Sequence, residues 1–185
     1  MRIIAGEARS RQIDAPKGRD TRPTLDRVRE NLFNIIARRV PGARVLDLFA
    51  GSGALSLEAL SRGAAAAVMV DRDREAHRVE EANTDRLGYG DRTQILLCDW
   101  YRALETLAKQ ETRFDLVFLD PPYAMGDLTA VTEALLPLLA PGALVVTEHQ
   151  AGHPYTVSGA LAETDTRRWG YAGVTFYEKR EADGT

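Results

Sequence analysis

An acid, two prolines and a tyrosine stand in a row at Asp120-Pro121-Pro122-Tyr123, directly after the apolar run Phe114-Asp115-Leu116-Val117-Phe118-Leu119. The prolines stiffen the backbone and remove two amide donors, leaving a set of acceptors: the Asp120 carboxylate and main-chain carbonyls. Such a set suits a planar NH2 group, which donates one hydrogen to the carboxylate and one to a carbonyl while Tyr123 stacks on the attached ring. An exocyclic amine is a poor nucleophile because its lone pair is delocalised into the base. Holding both hydrogens draws that pair out of conjugation and aims it at an electrophile such as a sulfonium methyl, so the protein contributes mainly alignment and electrostatics. The plain alternative is a Pro-Pro turn that merely ends a strand.

Three other places would serve such a reaction. Asp47-Leu48-Phe49-Ala50-Gly51-Ser52-Gly53-Ala54 is a glycine turn opening into a helix, and Gly51 and Gly53 let a ligand approach the main chain without meeting a Cβ. A dinucleotide fingerprint wants glycine or alanine where this chain has Ser56, which weakens a nicotinamide reading, and a ligand-free tight turn is also open. Asp71 closes the apolar run Ala66-Ala67-Val68-Met69-Val70, where a carboxylate accepts from ribose hydroxyls of nicotinamide and adenosyl cofactors alike. Asp99 follows a third run; it serves equally as acceptor for an adenine amine or as the N-cap of a helix.

The elements that must position these residues alternate. Strands are expected at 44–49, 66–71, 93–98, 115–120 and 143–148, with helices at 54–62, 74–87, 101–109 and 128–139 between them. Strands joined by crossover helices imply a parallel sheet covered on both faces. Residues 161–168 and 174–179, joined by Trp169-Gly170-Tyr171-Ala172-Gly173, read as a closing hairpin. The result is a doubly wound, mostly parallel, seven-stranded α/β sheet of the class I methyltransferase, Rossmann-like kind, whose first half dehydrogenases share. With 185 residues the chain divides into an N-terminal basic extension at 1–42 and one principal domain at 43–185. In the extension, 2–5 and 12–15 are expected to pair as a hairpin. An amphipathic helix then begins at Thr24, with Leu25, Val28, Leu32, Ile35 and Ile36 as its apolar stripe.

Net charge is only −3, but residues 1–44 carry eleven Arg or Lys against five acids, while the rest carries 13 against 22. An arginine-rich front on an acidic body fits a phosphate-bearing partner, or else a solvated face. Cys98 is the sole cysteine and lies in an apolar run, so a buried free thiol is expected rather than a nucleophile. His77, His149 and His153 lack metal-ligand spacing, so neither a metal nor a histidine base is expected. No apolar run reaches the length of a membrane span and the first residues lack a signal-like run, which argues for the cytoplasm.

The cofactor-loop and Asp-Pro-Pro-Tyr motifs are similar to those of amino-methyltransferases. The front, Arg2-Ile3-Ile4-Ala5-Gly6 with Thr21-Arg22-Pro23-Thr24 and Asp26-Arg27-Val28-Arg29-Glu30, resembles the RsmD family, and the likeness runs from residue 1 to about 180. That resemblance implies S-adenosylmethionine as cofactor and the exocyclic N2 of a guanine in 16S ribosomal RNA as methyl acceptor, free or in a small-subunit ribonucleoprotein particle. It further implies cofactor roles for Asp47, Gly51, Gly53, Asp71 and Asp99, joined by the neighbouring Phe49 and Arg72, and catalytic roles for Asp120, Pro121 and Tyr123. Arg2, Arg9, Arg11, Arg22 and Arg29 are the candidate RNA contacts, on a chain expected to act as a monomer. Two other readings are an N6-adenine methyltransferase and, from a different class, an NAD-dependent oxidoreductase or nucleoside-binding module.

Overall fold

The computed structural model describes residues 1–18 and 23–180. Among these, seven strands form one sheet: β1 (Arg44–Asp47), β2 (Ala66–Asp71), β3 (Thr93–Leu97), β4 (Phe114–Leu119), β5 (Leu139–Gln150), β6 (Leu161–Trp169) and β7 (Ala172–Lys179). Their order is β3-β2-β1-β4-β5-β7-β6, with β1 to β5 parallel and β7 antiparallel to both of its neighbours. The helices are α1 (Pro23–Ile35), α2 (Ala54–Ser61), α3 (Arg74–Leu87), α4 (Trp100–Lys109) and α5 (Thr129–Leu135). The expected doubly wound sheet is present.

Near-continuous apolar runs such as Ala67-Val68-Met69-Val70 and Leu116-Val117-Phe118-Leu119 are buried throughout, as strands covered on both faces must be. Val45, Met69, Phe118 and Val146 point to one side, against Phe33 of α1 and Leu57 and Leu60 of α2. Leu46, Val70, Val117 and Val145 point to the other, against Leu104 and Leu107 of α4 and Val131 and Leu135 of α5. The hairpin places its second strand beside β5 and leaves β6, the more exposed and charged of the two, at the edge.

The basic extension shares the first of these cores, into which Ile3, Ala8, Ile13, Val28, Leu32 and Phe33 all pack. It is pinned by polar groups of the main domain. Buried Glu58 accepts from the amides of Ile4 and Ala5 at 2.9 and 3.0 Å, and the Asn83 amide donates to the carbonyls of both Asp14 and Ser52 at 2.9 Å. Gly6 has φ of +85°, and a Cβ there would lie 1.9 Å from the Ser61 carbonyl oxygen, so only glycine allows this approach.

Several expectations are corrected. The front pairing is a single antiparallel bridge between Arg2 and Gln12 rather than two strands. The helix expected over 128–139 stops at Leu135 and continues as a 3-10 turn, because Pro137 has no N–H to give and its ring crowds the preceding turn. In α1 the buried face is Val28, Arg29, Leu32 and Phe33, continued by Ile36 just past its end, which leaves Leu25 and Ile35 of the expected stripe 40% and 43% exposed. Among the described residues no helix is long and apolar enough to cross a membrane.

Candidate active site

The strand order reverses between β1 and β4, and the crevice outside the carboxyl ends there is where open α/β sheets take ligands. A cleft of about 740 Å3 opens at that point, within the usual range for cofactor sites. Phe49, Asp71, Arg72, Asp99, Asp120 and Tyr123 all line it, as does Pro121. Asp47, Gly51 and Gly53 stand outside this lining and shape the loop that carries Phe49.

Asp47 ends β1 and is 1% exposed. Its Oδ2 accepts from the Ser56 hydroxyl at 3.2 Å, while the buried Oδ1 has no hydrogen-bond partner among the described residues. Burial, reinforced by the nearby Asp120 charge, pushes its carboxyl up to about 7. Ser56, read from sequence only as a missing glycine, is thus the partner of this acid. Gly53 caps α2 with φ of +77°, and a Cβ there would meet the Met69 sulfur at 2.6 Å, so both torsion and packing demand glycine.

Asp71 ends β2 with 8% exposure. Its two oxygens accept from the amides of Gly51 at 3.0 Å and Asp73 at 2.9 Å. The carboxylate therefore locks the glycine turn onto β2, and each oxygen keeps a further lone pair for a hydroxyl. Asp99 caps α4 by accepting from the Arg102 amide at 2.9 Å, and it is also exposed in the cleft wall. Cys98 departs from expectation, being half-buried and part of that wall instead of lying in the core.

The Pro-Pro turn sorts its carbonyls. That of Pro122 accepts from the Met125 amide at 2.9 Å, whereas that of Pro121 receives a long 3.4 Å contact from the Tyr155 hydroxyl. Tyr123 is 60% exposed, a free ring at the mouth of the cleft. Burial, then the charge of Asp120, pushes the Tyr155 hydroxyl up to about 12, so it remains a donor.

Two residues that adjoin this cleft, outside its lining, went unread in the sequence. β4 and β5 pair Leu119 with Thr147, so the next step along each strand brings Asp120 and Glu148 together. Burial first, then the Asp120 charge, pushes the half-buried Glu148 carboxyl up to about 8, with Arg29 opposing. Tyr155 comes from a loop with no strand or helix pattern of its own. Glu148 ends an apolar run, the same signal that marked Asp71 and Asp120.

Of the candidate RNA contacts, Arg2 and Arg9 are exposed and line a second cavity of about 390 Å3 together with Arg27. Arg11 is exposed and donates to the Arg86 carbonyl. Arg22 lies outside the described residues. Arg29 is a correction: it is 6% exposed, pairs with Asp26 at 3.0 Å and Glu58 at 3.8 Å, and donates to the Arg2 carbonyl. A guanidinium so buried and neutralised has no face left for a phosphate. His149 is buried and bonded to Thr175 Oγ1 at 2.8 Å.

The family described as Conserved hypothetical protein 95 matches residues 1–178. The Bacillus subtilis protein named "Putative rRNA methyltransferase YlbH" is 41% identical over 184 residues, which cover 97% of this chain and 100% of that one. The Escherichia coli protein named "Ribosomal RNA small subunit methyltransferase D" is 42% identical over 126 residues, covering 68% of this chain and 62% of that one. The solved structure described as "Putative methyltransferase yhhF from Escherichia coli" superposes with a TM-score of 0.82 at 35% identity, over 98% of this chain and 99% of that chain.

Proposed function

This chain belongs to the RsmD family of methyltransferases and carries the class I, Rossmann-like fold, and on that premise we propose that it methylates the exocyclic N2 of a guanine in 16S ribosomal RNA, using S-adenosylmethionine. The observation that carries this reading is the joining, in one cleft, of the strand-end acids Asp71 and Asp99 with the Asp120-Pro121-Pro122-Tyr123 turn. The names of the relatives, an rRNA methyltransferase and a ribosomal RNA small subunit methyltransferase, support ribosomal RNA as the substrate class. The cleft suits the cofactor: Asp71 retains acceptors for ribose hydroxyls, exposed Asp99 for an adenine amine, and the buried Oδ1 of Asp47 is an acceptor still to be satisfied.

When bound, S-adenosylmethionine supplies a sulfonium methyl as electrophile. The protein's part is to orient the amine. Asp120 accepts one N2 hydrogen and the Pro121 carbonyl, the less engaged of the two proline carbonyls, accepts the other. The anionic carboxylate would then steady the positive charge that grows on nitrogen as the methyl leaves the sulfonium sulfur, and accept the N2 proton that the product amine must shed. Tyr123, exposed at the cleft mouth, stacks on the base once it has been turned out of its helix or loop. Arg2, Arg9 and Arg11 hold the flanking phosphates.

The test is to incubate the protein with tritiated S-adenosylmethionine and ribosomal RNA from cells lacking the enzyme, then digest to nucleosides. Label in N2-methylguanosine is expected. Label in N6-methyladenosine would establish the adenine reading instead, and no transfer to RNA would remove both.

A further inference from the structure

We propose that Glu148 selects guanine, by accepting the N1–H that lies beside the amine held by Asp120. The inference rests on the guanine reading and extends it to a residue that the transfer step itself does not use.

Placement comes first. Parallel pairing of Leu119 with Thr147 sets Asp120, one residue past the end of β4, beside Glu148, two residues before the end of β5, about 4.8 Å apart in the pairing direction. Two residues back, Phe118 and Val146 both face the core shared with α1, so the alternation of β-strands turns Asp120 and Glu148 to that same side. This is the side on which Arg29, Asp26 and the arginine-lined second cavity lie. Asp120 thus stands between the cofactor cleft and Glu148, and a base entering from the basic front meets both carboxyls.

Chemistry then chooses the base. Guanine presents N1–H and N2–H2 side by side, two adjacent donors, and two adjacent carboxyls are two adjacent acceptors. Adenine presents its amine beside a bare N1 lone pair, and cytosine its amine beside N3, so either would set a lone pair against the Glu148 oxygen. Burial beside Asp120 holds the Glu148 carboxyl near neutrality in the free protein, while Arg29 opposes that effect. The arriving N1–H also favours the ionised form, because a hydrogen bond to a carboxylate stabilises it. A site built to satisfy a particular donor rejects an analogue lacking it far more strongly than a site that only matches shape.

The test compares two acceptors once the methylated guanine has been located by mass spectrometry of the labelled RNA. One is a short transcript carrying that guanine; the other carries 2-aminopurine there, which keeps the C2 amine but offers a bare N1. Wild-type protein is expected to favour guanine in kcat/KM by about 10- to 100-fold, the worth of one specific base contact. Glu148→Gln presents either a carbonyl or an amide N–H by rotation, so it should keep guanine turnover within a few-fold while the preference falls at least tenfold. Glu148→Ala should lose activity on guanine and leave 2-aminopurine nearly unaffected. A wild-type enzyme indifferent to the swap, or a Glu148→Gln variant with undiminished preference, would overturn the inference while leaving guanine methylation intact. Absence of guanine methylation by the wild type would instead defeat the functional reading itself.

Discussion

The acids that end β1 and β2 are buried, whereas the described arginines of the front end, Arg29 apart, are exposed. Asp47 and Asp71 are 1% and 8% exposed, whereas Arg2, Arg9 and Arg11 stand in solvent. The buried acids are fixed by hydrogen bonds from Ser56, Gly51 and Asp73, so their orientation is set before any ligand arrives. Such preorganised charge acts at close range in a low-dielectric site and is little affected by salt. The exposed arginines act on a mobile, screened partner, and their effect belongs to affinity and to salt dependence. The two regions should therefore fail differently when altered.

The largest effect is expected at Asp120. Asp120→Asn preserves shape and one acceptor oxygen but removes the charge that steadies the reacting nitrogen, so turnover should fall by about 10²-fold or more. Cofactor affinity should hold, and melting temperature should stay level or rise slightly, since the Asp120 charge opposes ionisation of Asp47 and Glu148. Single-turnover kinetics with calorimetric titration of the cofactor would check both. Loss of stability in proportion to loss of rate would make Asp120 a structural acid.

Next comes Asp71, which links the cleft to its own scaffold. Asp71→Ala should raise the cofactor dissociation constant by about 10- to 100-fold, through the loss of charge-assisted bonds to hydroxyls. It should also lower the melting temperature, because the amides of Gly51 and Asp73 lose their acceptor. Asp71→Asn, which retains one acceptor oxygen, should fall between the two by calorimetry. An unchanged dissociation constant in the alanine variant would remove Asp71 from the cofactor site.

The contrast between regions also explains what could be read from sequence. Strand-end acids and the glycine and proline turns are local signals, and a strand ending in a turn places them in the crevice whatever the rest of the chain does; Asp71, Asp99 and Asp120 were legible for that reason. Glu148 ends an apolar run too, but only the register of β5 against β4 reveals that its neighbour is Asp120. Glu58 lies in Ala54-Leu55-Ser56-Leu57-Glu58-Ala59-Leu60, where it looks like an ordinary surface acid. It is buried because two backbone amides and the guanidinium groups of Arg29 and Arg62, all but Arg62 from the front, converge on it. Arg29 is the reciprocal case: counted by charge it joins the RNA-facing arginines, and tertiary pairing takes it out of their number.

That reassignment supplies the smallest and most discriminating effect. In Arg2→Ala/Arg9→Ala/Arg11→Ala, each lost phosphate contact should flatten the log-log salt dependence of RNA binding by about 0.9 on a duplex or about 0.7 on a single strand. Cofactor affinity should not change, since none of the three lines the cofactor cleft. Arg29→Met should do the reverse. Its side chain fills most of that space without charge, so the salt slope should stay at the wild-type value, while melting temperature falls because buried Glu58 loses an ion-pair partner and the Arg2 carbonyl loses a donor. Fluorescence anisotropy over a salt series, with thermal melts of the same samples, separates the two outcomes. A salt slope altered by Arg29→Met but not by the triple substitution would exchange the roles of the buried and the exposed arginines.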